Sequence, residues 1–108
     1  IYNRMRTRMR LELCATVLYK LPGKQSLTLD DLQLESPYNT YRNFGLPPGP
    51  ISNPGAASLK AAAKPRQTDY LYYVLTGKDG SHTFAATYDE FLRAKAVNKK
   101  VFGDPNTN

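Results

Sequence analysis

The chain has 108 residues, with 15 lysines and arginines against 9 aspartates and glutamates, a formal charge of +6. Its 41% hydrophobic and 11% aromatic content describes a folded unit, one small domain or a piece of one, and excludes a disordered tail. No stretch is long or apolar enough to span a membrane. The single Cys14 excludes an internal disulfide, and one histidine with one cysteine falls short of a usual metal-ligand set. The positive balance suits a polyanionic partner such as nucleic acid, acidic lipid or an anionic cell-wall polymer, without choosing among them.

In chain order, residues 1–9 read as the end of a helix, because Tyr2, Met5 and Met9 recur at i, i+3 and i+7. Arg4, Arg6, Arg8 and Arg10 line the rest of that segment. A second short helix is expected over residues 14–21, stopped by Pro22 and Gly23. Thr28 is placed to cap a single turn through Leu32, with Asp30 and Asp31 near its positive end. Asn53-Pro54 predicts a helix start, an amide N-cap followed by proline at the first helical position. The alanines from Ala56 to Ala63 then carry the helix, with side chains small enough for close packing, until Pro65 ends it.

Residues 70–75, rich in aromatic and branched side chains, predict a strand. Asp79-Gly80 marks a turn, and residues 81–85 read as the returning strand of a hairpin. Thr87 and Glu90 have capping-box spacing and open a last helix with Phe91 and Leu92 on its inner face. Residues 103–108 are polar and are expected to fray.

Between these elements lies the most informative stretch, residues 36–52. From Gly45 to Gly55 there are four prolines and three glycines in eleven residues, which excludes a helix interior or a central strand. Tyr38, Asn39, Tyr41, Asn43, Phe44 and Asn53 punctuate it with rings that stack on sugars and amides that hydrogen-bond. A long loop of this kind is costly to order, and proline lowers that cost, which favours a functional loop.

The string from Ser36 to Ala62, SPYNTYRNFGLPPGPISNPGAASLKAA, resembles the central signature of the YceG-like (MltG) endolytic murein transglycosylases. Tyr2-Asn3-Arg4, Met9, Leu11 and Thr16-Val17 with Tyr19 are similar to the segment preceding that signature. Asp69 to Val74 and Gly80 to Phe84 are similar to the segments that follow it. The resemblance implies an α+β fold: short helices around a small antiparallel β-hairpin, with the Pro/Gly-rich loop lining a cleft. Residues 1–102 then form the C-terminal portion of a YceG-like domain, followed by a frayed tail, residues 103–108. Ile1 is not an initiator methionine, so a piece of a larger polypeptide is expected.

By that resemblance the activity is cleavage of peptidoglycan glycan strands at the MurNAc-GlcNAc β-1,4 bond, leaving 1,6-anhydro-MurNAc ends. The chemistry needs one carboxyl group, protonating the leaving oxygen and then accepting a hydroxyl proton, with a pKa raised by a partly apolar pocket. The family's catalytic Glu lies upstream of the Tyr-Asn-Arg segment, so it is expected to be missing here. Glu12, Glu35 and Glu90 occupy other places in the pattern, with Glu35 the nearest substitute because it adjoins the loop. What remains is expected to be the substrate-holding wall: Tyr38, Asn39, Thr40, Tyr41, Asn53 and His82. Four of them have a plainer reading. Tyr38 and Tyr41 anchor the loop to the core, Asn53 caps a helix, and His82 is a structural residue beside a strand.

Cys14-Ala15 departs from the family's usual Asp-Pro, and Cys14 is read as a small, partly buried core residue. The arginine cluster is a solvated helix end, or else it meets muramyl-peptide carboxylates or a nucleic-acid backbone. No cofactor and no metal are called for. The expected partner is the glycan strand, together with cell-wall synthesis machinery. The membrane enters only through an upstream anchor that would hold the domain at the inner membrane, facing the wall. The competing readings are a non-catalytic peptidoglycan-binding module and a basic nucleic-acid binder. The second lacks any recognised nucleic-acid motif, so the reading taken is no nucleic acid.

Overall fold

A computed structural model of the chain describes residues 1–103. The residues group into two compact units, Ile1–Gln67 and a second beginning at Thr68. The elements are short helices and one two-stranded antiparallel sheet, an α+β fold.

The first unit holds α1 (Tyr2–Arg6), α2 (Cys14–Leu18), a 3-10 turn (Asp31–Gln33) and α3 (Ala56–Ala63), joined by long irregular segments. α1 stops sooner than the apolar spacing predicts. The Arg8 N–H donates to the Met5 carbonyl (3.3 Å) and the Met9 N–H to the Arg4 carbonyl (2.8 Å), with Arg8 at φ 58°. This pair of bonds is a Schellman closure with arginine, not glycine, in the left-handed position. Met9 therefore leaves the helix instead of extending its stripe.

α2 is α-helical only to Leu18. It runs on through i→i+3 bonds, Lys20 to Val17 and Leu21 to Leu18 (both 3.0 Å), until the chain reaches Pro22. The N-cap residue of the 3-10 turn is Asp30, without a side-chain cap, and Thr28 instead pairs with Asp31 at the entrance to the turn. The Thr28 hydroxyl accepts from the Asp31 N–H (3.2 Å), and the Asp31 carboxylate accepts from the Thr28 N–H (2.9 Å) and from Lys24 (2.6 Å).

The start of α3 corrects the expectation for Asn53. Gly55 is the N-cap residue, no side chain caps the helix, and Asn53 is exposed two residues upstream. Glycine is a tolerable N-cap because little is lost relative to a hydrogen-bonding side chain. The alanines pack under nothing: no residue of α3 is buried, and the Tyr2 hydroxyl holds the helix by donating to the Ala62 carbonyl (2.7 Å).

The interior of this unit is small and unusually polar. Leu11 and Val17 are its buried hydrophobic residues, and Thr16, Asn39 and Thr40 are buried beside them. The hydroxyls of Thr16 and Thr40 bond each other at 2.9 Å. Thr40 Oγ1 also accepts the Leu13 N–H (2.8 Å), and Thr16 Oγ1 donates to the Leu13 carbonyl (2.9 Å). A hydrogen-bonded threonine pair thus takes the place that aliphatic packing fills in most cores.

In the second unit β1 (Tyr72–Leu75) pairs antiparallel with β2 (His82–Ala85), Tyr72 opposite Ala85 and Leu75 opposite His82. The turn matches its sequence signal. Asp79 Oδ1 accepts from the Ser81 N–H (3.0 Å) and hydroxyl (2.7 Å), and Gly80 takes φ 93°. α4 (Tyr88–Phe102) opens where the capping-box spacing put it: the Thr87 hydroxyl accepts from the Glu90 N–H (3.2 Å), and the Glu90 carboxylate accepts from that hydroxyl. Its inner face carries Phe91, stacked on Tyr72 at 5.1 Å, and buried Ala94, while Leu92 points outward at 44% exposure. Leu92 follows Phe91 by one position, about 100° round the helix, so the two do not share a face. Gly103 closes α4 by donating to the Lys99 carbonyl (2.9 Å); the expected tail lies otherwise outside the described residues.

Candidate functional site

The signature loop is held from beneath by Asn39. Its Nδ2 donates to the carbonyls of Leu32 (2.9 Å) and Leu34 (2.8 Å), and its Oδ1 accepts the Tyr41 N–H (2.9 Å). Its carbonyl accepts the Asn43 N–H (3.0 Å), while Asn43 Nδ2 reaches back to the Ser36 carbonyl (2.9 Å). Residues 36–43 are thereby wound into a knot of turns without a helix or strand. Thr40, next in sequence, ties the knot to the start of α2 through Leu13 and Thr16.

Asn39 and Thr40 were expected to face substrate. They are 0% and 1% exposed, and their polar atoms are spent inside the protein. Tyr38 and Tyr41 flank them in sequence and are half-buried, each with part of its side chain open to solvent. The Tyr38 ring lies 5.1 Å from that of Tyr19, with Lys20 Nζ 5.4 Å from its centroid. Its hydroxyl end faces Gly49 of the proline-rich arm, where a Cβ would come within 3.3 Å. Gly49 thus permits a close approach that a larger residue would obstruct. The Tyr41 hydroxyl is 3.1 Å from Cys14 Sγ, and Cys14 is exposed, not the partly buried core residue expected.

Tyr19 and Lys20 were not singled out by sequence reasoning. Tyr19 is 47% exposed and extends the aromatic surface begun by Tyr38. Its presence in the string preceding the signature was the available signal. Asn53 is exposed and belongs to the same unit as the two tyrosines, whereas His82 belongs to the second unit. There His82 is exposed on β2, its ring 5.6 Å from Tyr73.

Glu12, Glu35 and Glu90 are all exposed. The Glu35 side chain is 88% exposed, 3.9 Å from Arg42, and that of Glu12 is 51% exposed, 3.8 Å from Arg4. The Glu90 carboxylate accepts from the Thr87 hydroxyl at the start of α4. Asp31 and Asp79 are held below the usual carboxylate range, the first chiefly by its bond from Lys24, the second by the Ser81 hydroxyl. A general acid needs the opposite displacement.

The sequence profile of the YceG-like family matches residues 1–97. The chain belongs to the YceG-like family. It is 45% identical over 95 residues to the endolytic murein transglycosylase of Bacillus subtilis, covering 87% of this chain and 26% of that protein. It is 33% identical over 108 residues to the endolytic murein transglycosylase of Streptococcus pneumoniae D39, covering 93% of this chain and 20% of that one. Among solved structures, a YceG-like protein of Listeria monocytogenes superposes with a TM-score of 0.80 at 48% identity. That match covers 85% of this chain and 30% of the other. The YceG-like chain therefore spans about a fifth to a quarter of the length of the curated relatives it matches.

Proposed function

We propose that the chain supplies the glycan-binding wall of an endolytic peptidoglycan lytic transglycosylase. The relatives named for that activity support the reading, and the observation that carries it is the signature loop. Asn39 and Thr40 are wholly buried and hydrogen-bonded, while Tyr38 and Tyr41 stand half-open on either side. Rings fixed in this way lose little entropy when a sugar face stacks on them. Asn39 and Thr40 are then positioning residues, Tyr38, Tyr41 and Tyr19 present the surface, and Asn53 is a further polar contact in the same unit, while His82 is a separate candidate contact on the second unit.

In the proposed reaction the muramic C6 hydroxyl attacks its own anomeric carbon, and the bond from that carbon to the GlcNAc O4 breaks. One carboxyl group delivers its proton to O4 and takes the C6 hydroxyl proton, so no water is consumed. The exposed settings of Glu12 and Glu35 favour an acid outside these 108 residues, as the family resemblance implies. The same observation favours a second reading, a peptidoglycan-binding module without catalysis. The family resemblance implies an intact protein anchored upstream at the inner membrane and facing the wall; no helix among the described residues is long and apolar enough to cross a membrane.

Mass spectrometry of glycans released from purified peptidoglycan tests both readings. This chain is compared with a polypeptide extended upstream to include the family's Glu. Anhydro ends from the longer protein alone support the wall reading. Anhydro ends from the short chain refute an external acid. Glycan binding without cleavage by either selects the binding module.

A further inference from the structure

The wall reading leaves unused the basic segment that follows α1. The Schellman closure at Arg8 turns Met9 back beside Met5, and the two line a cleft of about 440 Å³ with Arg8, Phe44 and Gly45. This volume lies within the range of small-ligand sites. Its lining brings together two thioethers, a phenyl ring and the Arg8 side chain. Arg10 lies over Phe44, its guanidinium carbon 4.6 Å from the ring centroid.

The four arginines are not equivalent. Arg4 turns inward, 15% exposed, and donates to the carbonyls of Arg10 (3.0 Å) and Leu11 (3.3 Å). Arg6 donates to the Asn3 side chain. Arg4 therefore holds the backbone at Arg10 and Leu11, next to Arg8, which lines the cleft, and Arg10, which lies over the lining residue Phe44. Two left-handed residues, Arg8 (φ 58°) and Glu12 (φ 50°), bracket that segment. Non-glycine residues in this conformation cost energy and persist where surrounding structure enforces them.

A soft apolar lining with guanidinium forks beside it fits a ligand with short alkyl side chains and a carboxylate. A nucleobase is disfavoured, because Arg10 already covers one face of Phe44. A long acyl chain is disfavoured because the apolar lining is limited to Met5, Met9 and Phe44. We infer that this cleft is a subsite for the short carboxylate-bearing peptides attached to the glycan. Met5, Met9 and Phe44 receive the alkyl groups, and Arg8 and Arg10 bind the carboxylate. The assignment rests on the peptidoglycan reading and deepens it: the protein distinguishes peptide-bearing strands from bare ones.

The chain has only two methionines, Met5 and Met9, and both line the cleft. Methyl-labelled methionine therefore reports on this site alone. The 108-residue chain is titrated with uncrosslinked peptide-bearing strands, with amidase-stripped strands and with the free stem pentapeptide. The expected result is that both methyl signals move with peptide-bearing strands and free peptide, and stay still with stripped strands. Arg8→Gln with Arg10→Gln weakens peptide binding about tenfold or more, as loss of charge-assisted bonds dictates, and leaves stripped-strand binding unchanged. The corresponding double lysine variant retains part of the affinity and checks the fold.

Strand binding without methyl movement overturns the subsite and spares the wall reading. Methyl movement by free peptide, with no binding of either strand, keeps the subsite and refutes the wall. Failure of peptide to move the methyls, or an equal affinity in the glutamine variant, overturns the subsite outright. So does a stronger response to anionic vesicles or single-stranded DNA than to peptide.

Discussion

Replacing Asn39 tests whether the loop is held by directional bonds. Asn39→Ala removes two donors to the carbonyls of Leu32 and Leu34 and the acceptor for the Tyr41 N–H. At about 1 kcal/mol net for each bond, the expected loss is about 3 kcal/mol, a large share of a small domain's stability. Asn39→Asp keeps the shape but places an oxygen where Nδ2 sat 2.9 and 2.8 Å from two carbonyl oxygens. At neutral pH this variant is expected to be less stable than Asn39→Ala, because it buries a carboxylate whose second oxygen has no donor and faces two carbonyl oxygens, the Tyr41 N–H serving only the first. The introduced carboxyl has a folded pKa raised above its unfolded value near 3.9, so the native state binds the proton more tightly. Stability of this variant therefore falls as pH rises through about 4 and is partly recovered in acid. Urea unfolding followed through the amide signals of Leu13 and Tyr41 measures each variant at neutral and acidic pH. A loss below about 1 kcal/mol for Asn39→Ala, or the same pH profile for both variants, refutes the role of the Asn39 side chain.

Thr87→Ala removes the hydroxyl that accepts the Glu90 N–H and is expected to cost about 1 kcal/mol, measured by thermal unfolding of the second unit. Thr87→Ser is expected to retain most of that stability. Lys24→Gln is expected to raise the Asp31 pKa toward the ordinary carboxylate range, followed by carboxyl NMR titration, since the Lys24 bond is the leading cause of its depression. In the unsubstituted chain the contribution of Asp31 is present above its unfolded pKa and is lost as pH falls through the folded value. An unchanged titration would show that Thr28 alone sets it.

The second unit was legible almost residue by residue, because its signals are local. Asp79-Gly80 specifies the hairpin turn and Thr87 to Glu90 the helix start, and both interactions form as spaced. The first unit was legible as a list of segments but not as a packing arrangement. The stripe from Tyr2 to Met9 predicts a continuous helix, and nothing in the pattern announces a left-handed arginine at position 8. Asn53-Pro54 is a good helix start, yet Gly55 two residues later competes for the cap and holds it. The site divides in the same way. Exposed-ring candidates follow from residue type, whereas the burial of Asn39 and Thr40 depends on partners 5 to 27 residues away, beyond any local window.

That burial changes what kind of loop this is. Aliphatic cores are non-directional, so a loop packed on one can shift its side chains among several arrangements of similar energy. The Thr16–Thr40 pair and the Asn39 bonds admit only one register, since any slide leaves buried donors and acceptors unpaired. The prolines act in the same direction by narrowing the unfolded ensemble. The geometry of Tyr38 and Tyr41 is therefore set before a ligand arrives. A chain with so few buried aliphatic residues in this unit trades bulk hydrophobic stability for a defined surface. The proposed glycan wall calls for that kind of rigidity, because small misplacements of a substrate relative to a catalytic group are costly to a reaction.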